Sequence, residues 1–373
     1  MRSSGERTIF HVDMDSFYAS CELTKRPEFK NEPFVVGADP REGNGRGVVL
    51  ACNYIAKKQG LKSGMPISRA WDLSPNAHYV RPDFELYGEI SGKVMQVLRN
   101  FADRTEQVSI DEAYLEVSER LKKISEDSSK SDEVAIRTLA GEIKKAVLEN
   151  QGITCSVGVA NSKIVAKIAT DMNKPDGLTI VKPDEVVSFL SPLPVSKIPG
   201  VGKVTQRILS EKFSVEKISD LTKIHLDKLR EVFGRNGSWL LNVANGIDES
   251  EVVESWDPVS ISSETTFQED EGDYDKVRQV MDEVAKDVFS RVESDHYLFR
   301  NIGIKIRFTG FETHTRSKSL TAPSTSLEIL LRECEKMLLE FYDSDKKVRL
   351  IGVRVSSLKK LEEDQRTLAD WGS

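Results

Sequence analysis

The sequence has few of the residues that build disulfide frameworks and zinc sites. Its 373 residues include four cysteines and five histidines. The cysteines lie far apart with no CxxC pair, and the histidines do not cluster with them, so the ligand spacing of a structural zinc site is absent. We therefore expect the cysteines to be small buried side chains.

Long apolar runs are also missing. Hydrophobic residues make up 39% of the chain and charged residues 30%, and no run approaches the roughly 20 apolar residues that span a bilayer. The first ten residues lead directly into a strand-like run, without the apolar stretch of a signal peptide or an amphipathic transit segment. These features predict a soluble, cytoplasmic protein with no membrane partner.

The chain has no overall excess of positive charge. Its formal net charge is −7, whereas binding to phosphates needs a local excess of Lys and Arg. The charge is unevenly distributed, however. Residues 346–360 contain six basic residues and no acid, whereas residues 125–133 and 264–275 are acidic. The total charge therefore does not exclude a nucleic-acid partner.

The patterning along the chain predicts several compact units. Strand and helix patterns alternate at first, with a loop-rich, glycine-containing stretch at 33–64, and residues 184–247 look all-helical. Residues 249–258 look like a linker, and residues 259–356 mix strands and helices in a βαββαβ-like order. The polar segment 121–133 is predicted to be a solvated loop.

Carboxylates stand at two places where a metal site is expected. Asp13 ends an apolar strand at 8–15, and Asp111 and Glu112 form a polar step in a hairpin-like segment. These three carboxylates can converge at one sheet edge. Mg²⁺ prefers hard oxygen ligands and takes few protein carboxylates, and two such ions can activate a hydroxyl and stabilise a leaving pyrophosphate. The sequence therefore predicts a site for divalent metal.

The alternative is that each acid merely caps a turn. For Asp15, which a helix start follows directly, we prefer capping. For Asp13 we prefer the metal site, because an ionised carboxylate within an apolar strand needs a cation or strong hydrogen-bond donors. Glu112 alone fits both interpretations.

Five blocks of sequence occur in an order and spacing that are familiar: FHVDMDSFYASCE, GVVLACNYIAKKQGLKSGMP, SIDEAYLEVS, SVGVANSKIVAKIATDMNKPDG and IPGVG. Together they resemble the Y-family DNA polymerases, specifically the DinB or polymerase IV branch, up to about residue 356. The resemblance implies an α+β multidomain right-hand fold with a ferredoxin-like palm, small fingers, a helical helix–hairpin–helix thumb and a βαββαβ-like little finger. The implied boundaries are palm 1–16 and 84–181, fingers 17–83, thumb 182–248, linker 249–258, little finger 259–356 and tail 357–373.

The resemblance also implies a reaction. The chain is expected to be a template-directed DNA polymerase of low fidelity that copies damaged DNA by two-metal nucleotidyl transfer, with primer-template DNA and deoxynucleoside triphosphates as partners. No stretch is left over for an exonuclease domain, so we expect no proofreading. Asp13, Asp111 and Glu112 are the implied catalytic residues, and with the main-chain carbonyl of Met14 they are expected to bind two Mg²⁺ ions per active site.

Several residues match the nucleotide-binding positions of that family: Phe17, Tyr18, Tyr54, Lys57 and Lys174. Tyr18 is the implied steric gate against a 2′-hydroxyl, although spacing alone would favour a core aromatic. Lys57 stands where the family usually has Arg, and Ala51 where it often has Thr. Lys58 could serve instead of Lys57, and a solvated helix lysine is the alternative for Lys57.

Two regions are expected to contact DNA. Gly200, Gly202 and Lys203 belong to a hairpin whose amides and helix N-terminus meet phosphate, although PGVG is also an ordinary turn. In the last domain a basic sheet is predicted, with Lys305 and Arg307 on one face and with Arg349 and Arg354 from the basic segment; Arg300, Arg316 and Lys318 join it. The alternative is a merely solvated sheet face.

The tail carries a degenerate match to clamp-binding peptides. Gln365, Leu368 and Trp371 have the required spacing, but Gly372 stands where a second aromatic usually comes. A sliding clamp is therefore one predicted partner of an otherwise monomeric protein, and a disordered charged tail is the alternative.

Two other functions compete with polymerase. A non-catalytic DNA-binding scaffold would use only the thumb and last domain, and it leaves the three carboxylates and the triphosphate pocket unexplained. A nucleotidyl cyclase would share the acid pair but would have no use for a helix–hairpin–helix or a basic sheet. Mg²⁺-dependent extension of a primed template distinguishes polymerase from both.

Overall fold

The computed structural model describes residues 7–128, 131–341 and 346–361. The chain divides into two compact units, Met1–Ser255 and Trp256–Ser373. Among the described helices, none combines the length and the apolar character needed to cross a membrane. All four cysteines are buried and unpaired, as predicted.

The first unit contains one large sheet, one small sheet and most of the helices. Its strands are β1 (Ile9–Met14), β2 (Phe34–Gly37), β3 (Val49–Cys52), β4 (His78–Val80), β5 (Arg104–Gln107), β6 (Glu112–Glu116), β7 (Cys155–Ala160) and β8 (Leu178–Ile180). Its helices are α1 (Phe17–Lys25), α2 (Tyr54–Lys58), α3 (Ile67–Leu73), α4 (Phe84–Arg99), α5 (Ser118–Ser128), α6 (Asp132–Gln151), α7 (Lys163–Thr170), α8 (Val186–Leu190), α9 (Lys203–Phe213), α10 (Ile218–Leu221), α11 (Leu226–Phe233) and α12 (Arg235–Ala244). The all-helical stretch predicted for 184–247 is confirmed by α8 to α12.

The large sheet has the order β5-β6-β1-β7-β8, with β1 antiparallel to both neighbours. Side chains alternate along β1. Phe10, Val12 and Met14 belong to a core cluster that also contains buried residues of α4 and α6. His11 and Asp13 point to the opposite face, which α7 covers. β1 therefore contributes to the hydrophobic core and to the polar face at the same time.

The predicted loop at 121–133 is wrong for most of its length, because α5 continues to Ser128. Leu121 is buried, and Ile124 packs against the main core cluster. Two apolar residues on one side of a helix are enough to hold it on the sheet domain, even though the rest of the segment is polar.

The second unit contains β9 (Ser260–Glu271), α13 (Tyr274–Ser294), β10 (Tyr297–Phe308), β11 (Thr313–Ser324), α14 (Leu327–Leu339), β12 (Val348–Ser356) and β13 (Lys359–Lys360). Its main sheet has the order β11-β10-β12-β9. The predicted βαββαβ order is confirmed. Ile302, Ile304 and Ile306 lie on one face of β10 and pack in a core with residues of α13 and α14, which leaves the other face of the sheet open.

Gly158 in β7 allows α7 to approach the large sheet closely. A Cβ atom at this position would lie 2.1 Å from the Ala166 carbonyl oxygen and 2.4 Å from the Thr170 nitrogen. Both atoms are main chain, so the helix would have to move.

We therefore expect Gly158→Ala to lower the free energy of unfolding of the first unit by about 1–3 kcal/mol, as overpacking does. The matched control is Gly88→Ala in α4, where the added Cβ meets nothing within 4 Å. That change should stabilise the protein by about 0.5–1 kcal/mol, because alanine favours a helix interior over glycine. Urea unfolding of both variants measures the difference, and equal midpoints would contradict the close approach of α7.

Candidate active site

The register of β1 and β6 brings the three predicted carboxylates together. Asp13 and Glu112 are direct partners across the two strands, so their side chains share one face of the sheet. The main-chain N–H of Met14 donates to the Asp111 carbonyl oxygen at 2.9 Å. Asp111 is the last residue before β6, and its carboxylate accepts a hydrogen bond from the Ser109 hydroxyl at 2.6 Å.

Asp13 faces a lysine. Its Oδ1 lies 2.8 Å from the Lys174 ammonium, which also lies 3.0 Å from Asp171. Burial raises the pKa of Asp13 to about 6, although Lys174 opposes the rise. Burial would lower the pKa of Lys174, but the charges of Asp13 and Asp171 outweigh it and raise that pKa. The two shifts have different causes: burial for Asp13, and the neighbouring carboxylates for Lys174.

Glu112 is held by two groups that sequence reasoning missed. It forms an ion pair with Lys167 and lies 3.3 Å from His11 Nε2. Burial alone would raise the pKa of Glu112, but the hydrogen bonds from His11 and Lys167 lower it to about 2. His11 is buried, which lowers its own pKa, and its Nδ1 lies 2.9 Å from the Thr170 hydroxyl. The alternation of β1 could have placed His11 beside Asp13; nothing local indicated Lys167.

The donor chemistry of this cluster fits Mg²⁺. Among the described residues no group of three or more His, Cys, Asp or Glu side chains is arranged to hold a metal ion, and the two strand carboxylates face lysines instead. The available donors are nevertheless the carboxylates of Asp13, Asp111 and Glu112 and the Met14 carbonyl, all of them hard oxygens. Neighbouring, partly buried carboxylates need compensating positive charge or hydrogen-bond donors, and either an ammonium group or a metal ion can supply the charge.

Asp15 does not cap α1, so the capping interpretation is wrong. The N-cap position is taken by Ser16, which has positive φ (47°) and makes no side-chain capping bond. The carboxylate of Asp15 is instead buried and accepts hydrogen bonds from Thr154, Ser156 and Asp176.

Tyr18 lies at the edge of the main core, in an aromatic group. Its ring centroid is 4.7 Å from that of Tyr87 and 6.2 Å from that of Phe84. The Tyr87 hydroxyl donates to buried Glu22 at 2.6 Å, which fixes the ring behind Tyr18. Phe17 is 2% exposed and belongs to the main core cluster, so its ring is not available to a ligand.

Lys57 is directed towards the same region. Its ammonium donates to the Ser16 hydroxyl at 2.8 Å and lies 4.2 Å from the centre of the Tyr54 ring. The Tyr54 hydroxyl is 3.5 Å from Asp15. The structure therefore brings Lys57 and Tyr54 to the chain segment between Asp13 and Tyr18.

The predicted thumb hairpin precedes α9. Gly200 has φ +89°, Gly202 is the N-cap residue of α9, and no side chain caps the helix. Lys203 is the first residue of the helix and is exposed. The first-turn amides and this lysine are thus open to an anion.

The open face of the second unit carries part of the predicted basic set. The register places Lys305, Arg307 and Arg354 on this face. Lys305 and Arg354 line a depression of about 540 Å³ there. An acid shares this face: Glu264, from the acidic segment 264–275, pairs with Lys305 at 2.7 Å.

Other basic residues lie away from the open face. Arg316 pairs with Glu340 at 2.8 Å. Its register partner is the core residue Ile304, so it belongs to the side that the helices cover, and its assignment to the basic face is corrected. Lys318 is likewise opposite Ile302. Arg349 lies at a register shift and stacks 4.5 Å from the Phe311 ring.

The clamp-peptide residues Gln365, Leu368 and Trp371 lie outside the described residues.

Three family models match the chain. Residues 12–171 match the impB/mucB/samB family, residues 196–248 match the thumb domain of DNA polymerase iota, and residues 258–368 match the C-terminal domain of the impB/mucB/samB family.

Curated relatives are similar over almost their whole length. "DNA polymerase IV 2" of Methanosarcina mazei is 42% identical over 369 residues, which cover 99% of this chain and 97% of the relative. "DNA polymerase IV" of Methanoculleus marisnigri is 44% identical over 357 residues, 96% of each chain.

Solved structures agree with these relatives. A "Y-family DNA polymerase chimera Dbh-Dpo4(243-245)-Dbh" has a TM-score of 0.85 at 29% identity and covers 95% of this chain and 100% of the other. An "Insertion ternary complex of Dbh DNA polymerase" has a TM-score of 0.63 at 28% identity, with the same coverage. The chain belongs to the Y family of DNA polymerases, the impB/mucB/samB family.

Proposed function

We propose that this chain extends a primer on a DNA template with low fidelity and across damaged bases, using Asp13, Asp111 and Glu112 as its catalytic carboxylates. The observation that carries the proposal is the adjoining position of these acids where β1 ends and β6 begins, with Lys174 2.8 Å from Asp13. The relatives named DNA polymerase IV support the same reaction. Extension of a primed template with Mg²⁺ and four deoxynucleotides tests it.

The three carboxylates and the Met14 carbonyl would hold two Mg²⁺ ions. Such ions supply Lewis-acid activation of the primer hydroxyl and stabilise charge on the leaving pyrophosphate. Lys174 can exchange its contact with Asp13 for a phosphate oxygen, since both partners are anionic. Lys57 adds a second ammonium group, and the Tyr54 hydroxyl adds a donor for the triphosphate.

Tyr18 would select the sugar. Its ring cannot retreat freely, because Tyr87 and Phe84 stand behind it. Phe17 would contribute its main-chain N–H, since its ring is in the core. A rigid ring next to the sugar excludes a ribose hydroxyl by size rather than by hydrogen bonding.

DNA would be held without reading its sequence. Gly200, Gly202 and Lys203 offer main-chain amides and a positive charge to phosphate. In the second unit Lys305, Arg307 and Arg354 are available on the open face, whereas Arg349 lies away from it against the Phe311 ring. The net positive charge on this face is small, because Glu264 neutralises part of the positive charge.

Asp111→Asn should abolish primer extension, because it removes one metal-binding carboxylate at the point of nucleotidyl transfer. Primer-template affinity should change little, since the proposed DNA contacts lie on α9 and in the second unit. Single-turnover extension and fluorescence anisotropy of labelled DNA measure the two properties. Glu116→Gln, at the other end of β6, is the matched control and should leave extension intact. Normal extension by Asp111→Asn would remove this assignment.

Tyr18→Ala should increase incorporation of ribonucleotides relative to deoxynucleotides by about tenfold or more. Excluding a group by size discriminates by at least as much as one methylene group does in an apolar pocket, about 1–3 kcal/mol. Tyr18→Phe keeps the ring and should keep the selectivity. Competition between the two nucleotide types on one template gives the ratio. If the Tyr18→Ala ratio equals that of the native chain, Tyr18 is a packing residue.

A sliding clamp is the third proposed partner, through Gln365, Leu368 and Trp371, and the protein is proposed to act as a cytoplasmic monomer. Burial of Leu368 and Trp371 in an apolar pocket contributes roughly 3–5 kcal/mol before association costs, so the contact is weak and exchangeable. Removing residues 362–373 should leave clamp-free extension unchanged and reduce only the stimulation by the clamp. Undiminished stimulation would place any clamp contact elsewhere.

Sedimentation velocity tests the proposed monomeric state, and imaging of a tagged chain tests the proposed cytoplasmic location.

A further inference from the structure

Asp15 lies between β1 and α1 and is 2% exposed. Its Oδ2 accepts hydrogen bonds from the Thr154 hydroxyl and from the main-chain N–H of Asp176, both at 2.8 Å. Its Oδ1 accepts from the Ser156 hydroxyl at 2.8 Å. Among the residues that the structure describes, no Lys, Arg or His forms an ion pair with it.

The carboxylate is thus stabilised by hydrogen bonds from neutral donors, two hydroxyls and one main-chain N–H. The donors come from distant parts of the chain: Thr154 and Asp176 are 139 and 161 residues away. Asp15 therefore joins the end of β1 to the start of β7 and to the loop between α7 and β8.

That loop, residues 173–177, carries Lys174 and is tightly turned. Asp176 has positive φ (53°). A Cβ on Gly177 would lie 2.0 Å from the Asn173 carbonyl oxygen, so only glycine fits. Lys144 of α6 holds the loop from another direction, with an ion pair to the Asp176 carboxylate at 2.9 Å and a hydrogen bond to the Gly177 carbonyl at 3.2 Å.

We propose that Asp15 is a positioning residue for nucleotide binding. By accepting the Asp176 N–H, it fixes the main chain of the loop and so sets where the Lys174 ammonium meets the triphosphate. The Tyr54 hydroxyl, 3.5 Å from the same carboxylate, places a second nucleotide contact beside it. This inference rests on the proposed function, since it needs a nucleotide as substrate. Asp15 has no metal-binding role in it.

Two substitutions separate positioning from metal binding. Asp15→Ala leaves the Asp176 N–H without its acceptor, and we expect the nucleotide KM to rise about tenfold, with kcat and DNA affinity changed much less. Asp15→Asn keeps an amide oxygen for that N–H, and its NH₂ group can donate to the Ser156 hydroxyl. Asp15→Asn should therefore keep most of the nucleotide affinity that Asp15→Ala loses, whereas Asp13→Asn should be inactive. An inactive Asp15→Asn variant that folds normally would overturn the positioning role.

A double-mutant cycle tests whether Asp15 acts through Lys174. Lys174→Ala alone should raise the nucleotide KM, and adding Asp15→Ala should raise it little further, because the two changes remove one contact. Independent, multiplicative effects would contradict the inference. Binding of a labelled deoxynucleotide to the enzyme–DNA complex gives the same comparison without turnover.

Lys144→Met provides a second route, in case Asp15→Ala does not fold. It loosens the same loop without touching Asp15, and we expect it to raise the nucleotide KM in the same non-additive way. Lys145→Met, on the next residue, pairs only with exposed Glu149 among the described contacts and should have no effect. If the native chain fails to extend a primed template, the proposed function itself fails. If the native chain is active and both Asp15→Ala and Lys144→Met keep the native nucleotide KM, only the proposed role of Asp15 is contradicted.

Discussion

The antiparallel register of β1 between β6 and β7 is the constraint on which the site depends. It places Asp13 opposite Glu112 on one side and opposite Ser156 on the other. Two carboxylates on one partly buried face repel each other, so positive groups must come from outside the two strands. Lys174 and Lys167 supply them in this structure. A slip of one residue would exchange the acids for the core residues of β1 and would destroy both the core and the site.

The prediction for Asp13 depended on a local pattern, a carboxylate in an apolar strand, which indicates a need for a cation or strong donors. The structure places the Lys174 ammonium 2.8 Å from it, and its role as a metal ligand stays a prediction. Asp15 was misjudged, because helix starts are local signals whereas its hydrogen-bond donors lie on β7 and in the loop before β8. Lys167 was missed for the same reason: only the packing of α7 on the sheet brings it to Glu112. The helix around Leu121 was missed because its polar composition outweighed two apolar residues.

The second unit shows a different limit of sequence reasoning. Alternation along one strand correctly puts Lys305 and Arg307 on the same face, because residues two apart in a strand point to the same side of the sheet. Which residues of the next strand share that face depends on the register, and the register is set by turns and bulges. Arg316 consequently lies on the helix side, while Glu264 from an acidic segment reaches the open face. Summing basic residues by sequence position therefore overestimates the positive charge that DNA would meet.

Lys57 stands where the resemblance implies an arginine, and its surroundings give its ammonium group a defined direction. Arginine fixes its direction through a planar fork, whereas an ammonium group is a point charge on a flexible stem. Here the Ser16 hydroxyl and the Tyr54 ring direct that stem. Ser16 adopts positive φ, which is uncommon for a residue with a side chain. The two-residue connection between β1 and α1 therefore acts on two of the lysines of the site. Ser16 contacts Lys57 directly, and Asp15 accepts the Asp176 N–H in the loop that carries Lys174.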